Sequence, residues 1–425
     1  MLFLGVTLMV RVLTDDLASP DSRQSGSIDL SGVIAVLFIF MAAGLVLVRR
    51  RGMLPTILAV IWLCIWTAVA VSTRGASTET LREGVRELSV VALAVIVYNA
   101  CRGVTVTTAT RLVQLIGITP AILALYQLAT HTGLDIAGNV RSNGTFAHPN
   151  SAAMFFAIAA AVCIWRYLDD GRHRSDVLLA AIFAAALIAT FSIDGVATLV
   201  AMLIALGLFR RGSLRAKLVP CMAGVLVILA FFATPLGARR ISHESTTSFA
   251  TAEGGEPNTS LAWRLHKWKT LIPEWERSPI FGQGLGTTTT GRAIPGNRFS
   301  SKPPHNEYVR YLVETGLAGF ITLSLALVLL VRNLLRRRRL RDTLGARAHS
   351  ASTLALVTVV GCLVNSLADN TLLDSPTCYA AALLIAAVLG FPGDRDNADN
   401  KSAGSRSRTA DIREAFRERA AVERA

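Results

Sequence analysis

The chain alternates long apolar stretches with short polar breaks, on the roughly twenty-residue scale that a helix needs to cross a bilayer core. Apolar runs fall at 29–48, 54–73, 87–101, 107–129, 150–167, 176–193, 195–209, 217–235, 306–331, 351–369 and 375–391. With a short run at 1–13 the pattern gives about twelve membrane helices, and without it about eleven. The expectation is an all-α polytopic membrane protein. The 1–13 stretch has no basic region before it and no clear small-residue cleavage site, so it reads as a short first membrane segment and not as a signal peptide.

One polar interval, 236–304, is far longer than the others. Within it Leu261, Trp268, Leu271, Ile272 and Trp275 recur at helical spacing behind Asn258, Thr259 and Ser260, all good N-cap residues. A short helix inside the loop is predicted. The glycines of GQGLG, Gly282, Gly284 and Gly286, read as a turn, because a nucleotide fingerprint requires a strand before it and a βαβ setting. The pattern divides the chain into N-terminal membrane helices (1–135), a core that contains the long loop (136–392), and a charged tail (393–425). The tail segment DIREAFRERAAVERA reads as a solvated cytoplasmic face or an amphipathic helix.

Composition agrees with this pattern. Of 425 residues, 52% are hydrophobic and only 17% charged, against roughly 25% charged in soluble domains. The net charge of +14 does not point to nucleic acid, because the arginines sit in short clusters between apolar segments. Arg49–Arg51, Arg166 to Arg174, Arg210 to Lys217 and the run over 332–347 fall on one face when the segments alternate, and the positive-inside bias makes that face cytoplasmic. The opposite face receives 131–149, 236–304 and 370–374. The long loop is itself basic, through Arg239, Arg240, Arg264, Lys267, Lys269, Arg277, Arg292, Arg298 and Lys302, which an anionic ligand outside the cytoplasm explains. Cys64, Cys101, Cys163, Cys221, Cys362 and Cys378 lie in or beside apolar segments without a C-x-x-C pair and read as small buried hydrophobes.

Two loop segments carry candidate chemistry. PPHNEYVRYLVETG places His305 and Asn306 where a helix begins, at the positive end of its dipole. That end disfavours the imidazolium, and a neutral imidazole can take a proton from a hydroxyl; a capping or interfacial role for His305 stays open. Arg310 and Glu314 are spaced to pair along the helix. Arg264 and Lys267 share a face, set either for lipid phosphates or for one specific phosphate. RSNGTFAHPN brings Arg141 and His148 around an Asn143-Gly144 turn ahead of another helix.

Together these segments resemble the O-antigen ligase and O-antigen polymerase superfamily. RSNGTFAHPN is similar to its R-x-x-G-T-F-x-H-P-N element. The stretch from SLAWRLHKW to PIFGQGLG is similar to its R-x-x-x-W … P-x-x-G-x-G segment. PPHNEYVRYLVETGLAGF and NSLADNTLLDSP are similar to its later H-N and N-S elements. The resemblance spans about 136–392. It implies a metal-independent inverting glycosyltransferase that needs no cofactor. Such enzymes move a glycan from an undecaprenyl-diphosphate carrier to a glycan or glycolipid acceptor at the outer face of the cytoplasmic membrane. His305 is then the candidate base and Arg264 a diphosphate ligand, with Arg141, His148, Asn306, Arg310 and Lys267 as further substrate contacts. Many members carry S-R-G near residue 192; here Ser192 is followed by Ile193, Asp194 and Gly195. The only D-x-D triplet, Asp394-Arg395-Asp396, lies in the tail. A transporter or flippase is the competing reading, and would require ionisable residues near the bilayer midplane.

Overall fold

The computed structural model describes residues 2–16, 30–49, 53–75, 78–100, 105–136, 139–169, 171, 173–234, 237–238, 260–288, 303–339 and 341–391. The tail, Lys302, Arg239, Arg240, Arg292, Arg298 and the cap candidates Asn258 and Thr259 lie outside the described residues.

All twelve apolar runs form helices: α1 (Leu2–Leu13), α2 (Leu30–Arg49), α3 (Met53–Arg74), α4 (Thr78–Ala100), α5 (Val106–Thr130), α6 (Pro149–Asp169), α7 (Arg174–Ala189), α8 (Ile193–Phe209), α9 (Leu214–Ala233), α11 (Glu307–Arg339), α12 (Arg341–Asn365) and α13 (Ser375–Gly390). The helix expected in the long loop is α10 (Ser260–Arg277). The chain is an all-α polytopic membrane protein. Among the described residues seven helices (α2, α3, α5, α6, α9, α11 and α12) are long and apolar enough to cross a bilayer by themselves, while α1, α8 and α13 are apolar but shorter. A small antiparallel hairpin, β1 (Leu134–Ile136) and β2 (Asn139–Arg141), stands in the loop before α6. Its three-residue strands are too short to show alternation.

Side-chain caps set several helix starts. Ser192 Oγ accepts from Gly195 N at α8, Ser213 from Ala216 N at α9, and Thr105 from Thr108 N at α5. Pro149 opens α6, where its missing N–H costs nothing. The centre of the bundle is α6. Its alanines and Phe155, Phe156 and Ile158 are buried on nearly every side, so neighbouring helices approach closely over small residues.

The far end of α6 is tied to the basic clusters. Arg210 Nε donates to Asp169 Oδ1 at 2.7 Å, Ser350 Oγ donates to Asp169 Oδ2 at 3.1 Å, and Arg338 donates to the Phe209 carbonyl. His148 precedes the near end of the same helix. The basic clusters and the candidate site therefore occupy opposite ends of the bundle.

α11 is broken at Gly316 (φ 62°, ψ −170°). The GQGLG turn fills the break: Gln283 N donates to Val313 O and Gly284 N to Glu314 O, both at 2.8 Å, while Leu317 N donates to Pro279 O at 2.9 Å. Gly284 needs its missing side chain, since a Cβ there would lie 2.2 Å from Ala70 Cα. Backbone groups freed by the break are thus paired with the turn, as a membrane environment requires.

Candidate functional site

Six segments distant in sequence converge at the near end of the bundle: the end of α1, residues 141–150, the α7–α8 turn, α10, the segment before α11, and the loop after α12.

His305 sits just before α11 in a left-handed backbone conformation (φ 49°). That region is rare outside glycine and is tolerated where the surroundings over-determine it. Here they do. His305 N donates to Asn370 Oδ1 at 2.6 Å, and Nδ1 lies 2.7 Å from Asp369 Oδ1. Burial alone would raise the Asp369 pKa. The charge and hydrogen bond of His305, with smaller help from His148 and the Asn370 N–H, instead hold it below the usual carboxylate range. An ionised carboxylate only accepts, so His305 Nδ1 carries the proton, and in the neutral ring Nε2 keeps its lone pair. Trp263 meets the His305 ring edge-on at 5.5 Å between centroids, and His148 lies 6.2 Å away.

His148 is held neutral. Burial is the main cause, and with the nearby cations it outweighs the attraction of Asp369, lowering its pKa to about 4. Its Nδ1 accepts from Asn150 N at 3.1 Å, so its proton resides on Nε2.

Arg264, on α10, forms a two-pronged ion pair with Asp194: Nη2 to Oδ2 is 2.6 Å and Nη1 to Oδ1 is 3.3 Å. Asp194 lies in the first turn of α8, where the helix dipole favours a carboxylate. Lys267, one turn further along α10, is 1% exposed, and burial lowers its pKa to about 8. Trp268 Nε1 donates to Pro304 O at 2.8 Å, which docks α10 against the segment that carries His305.

Three further candidates are engaged within the fold. Arg141 is buried; Nε donates to Thr190 O and Nη2 to Asn150 Oδ1, each at 2.8 Å. Since Asn150 Oδ1 also accepts from Ser192 Oγ at 3.2 Å, Arg141 ties the hairpin to the α8 N-terminus and to the residue that orients His148. Asn306 Oδ1 accepts from Val309 N at 3.0 Å as the α11 cap, and its Nδ2 donates to Leu367 O at 2.9 Å. Arg310 is 0% exposed. It is enclosed by Glu307 (2.6 Å), Glu87 (2.7 Å), Glu314 (3.3 Å) and Glu83 (3.6 Å). The expected Arg310–Glu314 pair is one of these contacts.

Two contributors were not singled out from sequence. Asp369 lies inside the NSLADN element, but only a partner 64 positions away gives it a role. The end of α1 also supports the site: Thr145 Oγ1 donates to Val12 O at 2.8 Å, Ala147 N to Asp15 Oδ2 at 3.0 Å, and Asp16 N to Thr145 O at 3.0 Å. No periodicity in a run of thirteen residues signals that duty.

Residues 177–324 match the family model described as O-antigen ligase. The matched segment contains Asp194, Arg264, Lys267, His305, Asn306 and Arg310, and stops short of Asp369. No curated protein matches the chain.

Proposed function

Because residues 177–324 carry an O-antigen ligase superfamily domain, we propose that this membrane protein is a glycosyltransferase of the ligase kind. It transfers a glycan from an undecaprenyl-diphosphate carrier to an acceptor hydroxyl at the extracytoplasmic face of the cytoplasmic membrane. The observation that carries the reading is the Asp369–His305 pair, with Trp263 and His148 beside the imidazole. The gathering of the basic clusters at the other end of the bundle supports the orientation.

The donor sugar already bears a good leaving group, so the chain has two tasks. His305 Nε2 accepts the proton of the acceptor hydroxyl as its oxygen attacks the anomeric carbon, and the sugar inverts. Asp369 fixes the tautomer and stabilises the imidazolium that forms, as in other base–carboxylate pairs. Arg264 and Lys267 hold the departing diphosphate. Guanidinium binds phosphate oxygens in a fork, and charge stabilisation of the leaving oxygen supplies much of the acceleration in such sites. His148 Nε2–H adds a neutral donor. Arg141, Asn306 and Arg310 position these groups. The positive charge is supplied by side chains, so the scheme needs no metal.

The test is glycan transfer by purified protein with a lipid-linked donor in the presence of EDTA, combined with His305→Ala and Asp369→Asn. Each variant is expected to lose about 10²–10⁴-fold in kcat while still inserting and melting like the parent. Unchanged transfer in both variants would overturn the assignment, and full dependence on added Mg²⁺ or Mn²⁺ would overturn its metal-free form. In cells that lack the protein, long unattached chains on the carrier mark a ligase, whereas accumulation of single repeat units would mark a polymerase of the same superfamily.

A further inference from the structure

Along the second half of α11, from Leu327 to Arg339, the surface forms a groove of about 530 Å³ that Leu363 of α12 also lines. Val331, Leu335 and Leu363 are among its apolar walls, and Arg332, Arg336 and Arg339 line its end. The three arginines are spaced four and three apart, so they share one face of the helix. Their neighbours are engaged inside the fold: Arg337 donates to the carbonyls of Leu389 and Phe391, and Arg338 to that of Phe209. Arg332, Arg336 and Arg339 make no hydrogen bond or ion pair among the described residues, and all three are exposed. From Leu327 to Arg339 the wall runs about 18 Å along the helix axis, apolar first and cationic last.

We propose that this groove is a binding site for an anionic phospholipid, distinct from the site that takes the lipid-linked donor. The phosphate sits among the three guanidiniums and an acyl chain lies along the apolar wall. Charge complementarity favours an anionic over a zwitterionic headgroup. The order of the lining, apolar along a membrane helix and basic at its end, matches a lipid standing in a leaflet, where neither a soluble anion nor a peptide would use both parts. It also supplies a partner for three arginines that have none among the described residues, on a helix whose other terminal arginines are engaged. A basic side chain near an anionic membrane surface contributes on the order of fivefold in binding, so three together give about a hundredfold. The bound lipid would brace the otherwise lightly packed end of α11, the helix whose opposite end carries His305.

The experiment is native mass spectrometry of the delipidated full-length protein, titrated with phosphatidylglycerol, cardiolipin and phosphatidylcholine of matched chains, with inorganic phosphate as a competitor. Phosphatidylglycerol and cardiolipin are expected to bind at least tenfold more tightly than phosphatidylcholine, and millimolar phosphate is expected not to displace them. The R332Q/R336Q/R339Q variant should lose that preference, and R332K/R336K/R339K should keep most of it. Equal binding of anionic and zwitterionic lipids by the parent protein would overturn the proposal without recourse to any variant. So would undiminished preference in the glutamine variant, or displacement by free phosphate, which would mark a simple anion site. None of these readouts uses glycan transfer, so the result stands apart from the fate of the proposed activity.

Discussion

Asp194 grips Arg264 through both carboxylate oxygens, at 2.6 and 3.3 Å, where the first turn of α8 faces α10. The guanidinium to which the proposed function assigns the diphosphate is thus already paired, and on that proposal a donor must displace the carboxylate to reach it. Asp194→Asn is therefore expected to lower the KM for the lipid-linked donor several-fold with little change in kcat. Arg264→Ala is expected to cost about 10²–10³-fold in kcat, the range seen when one transition-state donor is removed. Steady-state kinetics with purified protein checks both. A raised donor KM in Asp194→Asn would show instead that the pair holds Arg264 in its working position.

In the role proposed for it, Lys267 gives the reaction a pH limit. Burial lowers its pKa from 10.5 to about 8, so the side chain is a cation below that value and neutral above it. An anionic diphosphate is attracted only by the cation. The donor KM should accordingly be flat below pH 8 and rise as pH passes through it. Lys267→Arg keeps the charge far beyond that range, so its KM should stay flat where the parent's climbs. His148, with a pKa of about 4, is neutral throughout the window and does not confuse the measurement. A parent profile unaffected between pH 7 and 9 would remove Lys267 from the donor site.

The membrane helices were legible because their signal is local. A run of apolar residues reports its own burial in lipid or core, and Ser192, Ser213 and Thr105 cap helices three residues away. The gathering of RSNGTFAHPN, α10 and PPHNEY at one end was legible as well, through alternation of the segments and resemblance. What spacing could not supply was the partner of each polar group. Arg141 and Asn306 look like ligands in a loop, yet their acceptors are the Thr190 and Leu367 carbonyls and the Asn150 amide. A main-chain carbonyl has no signature in sequence. The break at Gly316 was hidden for the same reason, since it depends on a turn more than thirty residues earlier whose glycines read simply as a loop.

Arg310 separates a positioning role from a chemical one. Its guanidinium is fully buried among Glu307, Glu87, Glu314 and Glu83, and Tyr311 OH donates to the same Glu87 at 3.0 Å. This cluster joins α4 to the first turns of α11, directly behind His305. Removing the cation leaves Glu307, Glu87 and Glu314 close together with only Arg86, itself paired with Glu83, as a neighbouring positive charge, and breaking a buried charge pair in this way costs about 3–5 kcal/mol. Arg310→Met should therefore accumulate poorly in membranes and melt well below the parent in detergent. The folded fraction should keep a substantial share of its kcat, because the Arg310 guanidinium is enclosed by carboxylates and fully buried. Arg264→Ala is expected to show the converse, with parental melting and little transfer. Thermal unfolding followed alongside single-turnover transfer distinguishes the two. A variant at Arg310 that melts like the parent but transfers no glycan would move this residue from the scaffold into the substrate site.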